Sequence, residues 1–194
     1  MNENTGDIRT FVAIELPDAV RAFLHKVSSD LRKAGGDVKW VRAESIHLTL
    51  KFLGNVRRET LPDLETEITA ALCDQRPFDL QVIGLGTFPN LRNPRVVWVG
   101  LGDPSDSLAP VVARLESRLE PLGFPKEKRP FSPHLTLGRF RSAKGNGDLI
   151  EALRQGMDVS GPSFTANHAV LFQSLLKPSG AEYSALRRFD FAGA

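Results

Sequence analysis

The sequence predicts an α+β fold with mostly antiparallel sheet. Three observations lead there: apolar runs rich in β-branched and aromatic residues, amphipathic helical stripes set between them, and the lack of a regular strand–helix–strand alternation that would build a parallel sheet. Residues 9–16, RTFVAIEL, read as a largely buried strand ending at Pro17. Asp18 stands where an N-cap would, ahead of a helix striped by Val20, Phe23, Leu24, Val27 and Leu31 and stopped by Gly35-Gly36. His25 falls between the stripe positions and is expected to face solvent. Residues 38–41 and 45–53 read as strands, with Gly54-Asn55 closing the second. Leu61, Leu64, Ile68 and Leu72 mark a second helix that tolerates Pro62 in its first turn. Two strands at 78–85 and 96–101 flank a loop holding Pro89, Asn90, Asn93 and Pro94. A third helix carries Leu108, Val112, Leu115, Leu119 and Leu122 and ends at Gly123. A short strand at 135–140 and a brief helix at 149–155 follow. The last strands, 164–176 and 183–191, are joined by a turn at Pro178-Ser179-Gly180.

No linker or low-complexity stretch divides the 194 residues, so residues 1–194 are expected to form a single domain. A hydrophobic share of 41% against 25% charged residues places the chain among globular rather than disordered proteins. A net charge of +2 argues against a protein that coats nucleic acid. Cys73, the lone cysteine, excludes an intramolecular disulfide and a multi-cysteine zinc site, which makes the reducing cytoplasm the simplest compartment. The opening MNENTGDI lacks the basic start and apolar run of a secretory signal. No run of roughly 18 apolar residues is present to span a membrane.

One tetrapeptide occurs twice. Residues 47–50 and residues 134–137 both read His-Leu-Thr-Leu, and the pair uses two of the four histidines in the chain. In a strand, side chains alternate, so His47 and Thr49 share one face and Leu48 and Leu50 the other. The leucines can enter a core while histidine and threonine are presented together, about 7 Å apart along the strand. The second copy does the same with His134 and Thr136. If the halves pack as pseudo-symmetric lobes, two imidazoles and two hydroxyls face one another across a cleft.

That constellation suits a phosphodiester. Imidazoles titrate near neutrality, so one can accept a proton from water while the other protonates a departing ribose oxygen. The threonine hydroxyls can hydrogen-bond nonbridging phosphate oxygens. Two proton-transfer groups already serve nucleophile and leaving group, so no metal is required. A zinc site would need a third ligand, and no His-Glu helix motif or cysteine cluster supplies one. The charge distribution agrees. Residues 39–58 hold five basic side chains and one acidic, a balance of +4, and residues 126–144 hold six and one, a balance of +5. The rest of the chain is therefore net −7.

The paired motifs resemble the signature of the 2H phosphoesterases, and their context resembles the RNA 2′,3′-cyclic phosphodiesterase branch, also labelled 2′-5′ RNA ligase. The matching stretches are RTFVAIELP, WVRAESIHLTLKFLGNV, RVVWVGL, FSPHLTLGRFR and LFQSLLKPSGAEYSALRRF, in that order over nearly the whole chain. The resemblance implies a two-lobed, pseudo-symmetric fold with a central cleft, each lobe contributing one motif. It implies hydrolysis of a terminal 2′,3′-cyclic phosphate on RNA to a 2′-phosphate, without metal or nucleotide cofactor. Ligation through a 2′-5′ bond is the reverse use of the same groups. By resemblance, His47 is the general acid for the leaving 3′ oxygen, His134 the general base, and Thr49, Thr136 and Arg139 hold the phosphate.

Strict alternation from His134 places Arg139 on the wrong face; a bulge at Gly138 would correct this, and otherwise Arg139 reaches around the strand end or has no site role. Lys51 has the parity of His47 and Thr49 but is left outside the assignment. Phe11, Trp40, Phe131 and Phe140 are candidates to stack on a base, and His168 reads as structural because no threonine follows two residues on. RNA 3′ ends bearing a cyclic phosphate are the expected partner of a monomer, with small cyclic nucleotides and a noncatalytic RNA-end-binding module as the competing readings.

Overall fold

The computed structural model describes residues 6–142, 145–177 and 180–193. Two antiparallel sheets carry the described chain. The four-stranded sheet has the order β3-β1-β8-β9, built from β1 (Ile8–Ile14), β3 (Leu48–Val56), β8 (His168–Lys177) and β9 (Gly180–Asp190). The five-stranded sheet has the order β2-β6-β5-β4-β7, built from β2 (Val38–Trp40), β4 (Phe78–Phe88), β5 (Val96–Gly102), β6 (His134–Phe140) and β7 (Ser160–Ala166). Every strand pairing is antiparallel, as the sequence predicts.

Among the described residues, four α-helices cover these sheets: α1 (Asp18–Lys33), α2 (Leu61–Leu72), α3 (Leu108–Leu119) and α4 (Gly147–Gln155). Each buries the stripe its periodicity marks, for example Val20, Leu24 and Leu31 on α1 and Leu64, Ile68 and Leu72 on α2. Asp18 is the first helical residue of α1 rather than its cap; Pro17 holds the cap position, and Asp18 pairs with Arg21. Gly35 and Gly36 both take positive φ, which ends the helix as expected. No helix among the described residues is long and apolar enough to cross a membrane.

Several strand boundaries depart from the sequence pattern; β4, expected to end at Leu85, runs on to Phe88. Residues 43–45 form a 3₁₀ turn, so the strand expected from Ser45 starts at Leu48 and His47 sits just ahead of it. Gly54-Asn55 does not close that strand. The register against β1 skips Leu53, and β3 runs on to Val56. The apolar run 164–176 is two strands, not one. β7 pairs with β4, β8 pairs with β1 and β9, and Asn167 is where the chain changes sheets. Asn167 is a single exposed residue between Ala166 and His168, with no proline or glycine to mark a turn, so the break has no local signal. Residues 178 and 179 of the expected final turn lie outside the described residues.

The four-stranded sheet has two different faces. One, with Val12, Ile14, Leu48, Leu50 and Leu171, joins the main core shared with the helices and the other sheet. The other forms a separate buried cluster of Phe11, Ala13, Val170 and Phe172, with Tyr183 packed against it. That second, aromatic face positions the first histidine.

Candidate active site

Both copies of His-Leu-Thr-Leu put their leucines in the core, and Leu48, Leu50, Leu135 and Leu137 are all buried. Both also distort their strand at the same place. Ala13 pairs with Thr49 and Val12 with Lys51, leaving Leu50 unpaired. Trp98 pairs with Thr136 and Val97 with Gly138, leaving Leu137 unpaired. Each motif therefore ends in a β-bulge on its last leucine, which resets the alternation of the strand. The bulge falls on Leu137, one residue before the Gly138 position the sequence suggested, and Arg139 returns to the face of His134 and Thr136 as an exposed side chain. A β-carbon at 138 would lie 2.6 Å from Val38 Cγ1 on β2, so the close approach of β2 requires the glycine.

The first bulge has the opposite consequence for Lys51. It turns that side chain away from His47 and Thr49 and into the interior. Phe52 then takes the place on β3 that Arg139 takes on β6. The residue is 55% exposed, and its ring lies 6.0 Å from that of Phe11. The two halves of the site thus share a backbone plan but differ in chemistry, aromatic on one side and cationic on the other.

The two imidazoles are held in the same way. Nδ1 of His47 lies 3.1 Å from the Ser45 carbonyl oxygen, and Nδ1 of His134 lies 2.8 Å from the Ser132 carbonyl oxygen. A carbonyl only accepts, so each Nδ1 donates its hydrogen and each Nε2 is left for proton exchange. The repeat is therefore longer than the tetrapeptide: Ser-x-His-Leu-Thr-Leu at 45–50 and again at 132–137. The added serine was legible in the sequence, but its backbone makes the bond, so residue type alone does not disclose the role.

Their surroundings differ. His47 stacks on Phe11 with ring centroids 4.5 Å apart and meets Tyr183 edge-on at 5.1 Å, with Phe172 behind at 6.3 Å. Burial against this wall pushes its pKa down to about 4, against a smaller upward pull from the Ser45 carbonyl. His134 meets Phe88 edge-on at 4.9 Å, and Phe88 leans on Trp98 at 5.2 Å. Trp98 lies over Gly86, where a β-carbon would come within 2.3 Å of the indole. Gly100 stands opposite His134 on β5.

The two sides approach one another. β3 and β6 are in contact although they belong to different sheets. Burial raises the Tyr183 phenol, and the positive charges of Arg139 and Arg9 pull it back down, so Arg139 on the five-stranded sheet acts on the ring that walls His47 on the other. Of the aromatic candidates, Phe11 lies in this site, while Trp40, Phe131 and Phe140 pack against the main core. Phe172, Tyr183, Phe88, Trp98 and Phe52 were missed. Sheet order brings the first four beside the histidines, and a bulge turns the last. His168 bonds Asn167 and Glu15, and His25 is exposed.

With this geometry in place, residues 16–177 match the 2′-5′ RNA ligase superfamily. The chain belongs to that family. It is 31% identical over 182 residues to the RNA 2′,3′-cyclic phosphodiesterase of Methanothermobacter thermautotrophicus, covering 94% of this chain and 98% of the relative. It is 33% identical over 183 residues to the enzyme of the same name from Archaeoglobus fulgidus, covering 94% and 100%. Among solved structures, a Thermus thermophilus protein superposes with a TM-score of 0.82 at 29% identity, covering 96% of this chain and 99% of that one. E. coli LigT, solved with 3′-AMP, superposes with a TM-score of 0.77 at 27% identity, covering 96% and 99%.

The aromatic wall makes the stability of this superfamily member depend on pH. The folded state holds His47 neutral down to about pH 4, whereas an unfolded histidine takes its proton near 6.5. The unfolded state therefore binds more protons between those values, and stability falls as pH drops through that window and levels off below it. The full effect is about 3 kcal/mol. Urea unfolding of His47→Gln between pH 7 and pH 4 is expected to show a shallower loss than the parent; parallel curves would contradict the neutral, buried imidazole.

Proposed function

We propose that the protein hydrolyses the terminal 2′,3′-cyclic phosphate of RNA to a 2′-phosphate. The chief support is the pair of identically anchored imidazoles, one per sheet, each leaving Nε2 free beside a threonine of its own strand. The names of the relatives point to the same reaction. His134 takes a proton from water, whose oxygen bonds to phosphorus. The bond from phosphorus to the 3′ oxygen breaks, and His47 gives that oxygen its proton. Thr49, Thr136 and Arg139 bind the nonbridging oxygens, where charge grows in the transition state. A ribose hydroxyl in place of water runs the same steps toward a 2′-5′ linkage. The whole chain acts as one unit in this scheme, with each sheet supplying one motif.

The low pKa of His47 sets a condition on its role as donor. In the empty site the ring is neutral at neutral pH, so the negative charge of the incoming phosphodiester is what raises its proton affinity. Phe52 offers the terminal base an exposed ring beside Phe11.

The test is an oligoribonucleotide ending in a 2′,3′-cyclic phosphate, incubated with the protein in EDTA. The expected product carries a 2′-phosphate and a free 3′-hydroxyl. A 3′-phosphate would reverse the choice of bond, and no turnover would overturn the reading.

A further inference from the structure

Lys51 and Glu116 form an ion pair inside the protein. Their side chains are 2% and 10% exposed, and Lys51 Nζ lies 2.9 Å from Glu116 Oε1. Such a pair is costly to bury, and well-packed apolar residues in its place are often as stable or more so. What the pair holds is shown by its other two bonds. Lys51 Nζ donates to the Pro125 carbonyl at 2.6 Å, and Glu116 Oε2 accepts from the Glu127 backbone N–H at 2.8 Å. Both bonds fall on the stretch that follows α3 and leads to His134. Residues 125–130 of that stretch are exposed.

We propose that the Lys51–Glu116 pair is a positioning device for His134. Lys51 lies two residues beyond Thr49 on the strand of the first motif, and Glu116 lies on α3. Together they clamp Pro125 and Glu127, and the same stretch then presents the Ser132 carbonyl that fixes the His134 ring. The first motif thereby sets the approach of the second. The bulge at Leu50 makes this possible, because it sends Lys51 inward rather than toward the substrate. The proposal rests on His134 being a proton-transfer group, and its main readout does not require turnover.

The test uses Lys51→Met/Glu116→Leu, which removes both charges and keeps apolar volume. Lys51→Met alone strands a buried carboxylate and is expected to lose much of its thermal stability, whereas the double variant is expected to melt near the parent. Glu116→Gln, which keeps an acceptor for the Glu127 N–H, is the milder companion. Nitrogen-15 NMR of the imidazoles should show His134 losing its fixed Nδ1–H form in the double variant while His47 keeps it. The kcat on the cyclic phosphate should fall ~10- to 100-fold with KM little changed, since small misplacement of a reacting group has costs of that order. Glu116→Gln should lie between parent and double variant. A folded double variant whose His134 signals match the parent overturns the proposal, whatever its activity. Unchanged His134 signals in Glu116→Gln together with a double variant that does not fold would reduce the pair to a structural role and overturn it equally.

Discussion

Alanine at His47 or at His134 lowers kcat on an RNA 2′,3′-cyclic phosphate at least ~100-fold, the usual scale for losing one proton-transfer group. Circular dichroism and thermal melts of both variants separate lost catalysis from lost folding, a control that matters most for His47, which packs on Phe11 and Tyr183. The two losses differ once the leaving group is changed. A nucleotide p-nitrophenyl phosphodiester expels a stable phenolate and needs no proton from the enzyme. His47→Ala should regain most of its deficit on that substrate, while His134→Ala should not. The opposite pattern would exchange acid and base, and full activity in either variant would remove that histidine from the mechanism. The parent should give a bell-shaped kcat/KM profile with a break near pH 4, since above it the free enzyme loses the His47 proton that must be donated. A single sigmoid would argue against paired roles.

Arg139→Ala is expected to lower kcat/KM on the same substrate ~100-fold, comparable to removing one preorganised donor from an oxyanion site. Arg139 is exposed, so its thermal midpoint should not move. Arg139→Lys keeps the charge but loses the planar fork and should recover part of the deficit. Normal kcat/KM in the alanine variant would leave Arg139 without a phosphate role. Gly138→Val attacks the same function through the backbone. Its β-carbon would press on Val38 and on the Lys39 carbonyl, 2.6 and 3.3 Å away, so β2 or the bulge must give. Loss of activity together with lower stability is expected there, in contrast to the purely catalytic loss at Arg139.

The contrast between those two sites shows what could be read in advance. A glycine inside a strand signals a bulge, so the facing of Arg139 was open to inference from Gly138. Leu50 carries no such signal, and alternation alone places Lys51 beside His47 when in fact it points inward. The histidines and threonines were legible because a repeated string needs no knowledge of the fold. Phe172 and Tyr183 were not, because they reach His47 only through the order β3-β1-β8-β9, and nothing local encodes strand order. The change of sheet at Asn167 was hidden for a similar reason: no proline or glycine stands there, and only strand order shows that Phe164 and Ala169 belong to different sheets.

That change of sheet also governs when the site can exist. β1 and β3 are made early in synthesis, but β8 and β9, which complete their sheet, come last. Until those residues leave the ribosome, Phe11 has neither Phe172 nor Tyr183 against it, and the ring of His47 stands before an unfinished wall. Pairings this distant in sequence form slowly and late. The nascent chain therefore carries both histidines before the wall behind His47 exists, and pairing of β8 with β1 and of β9 with β8 completes it.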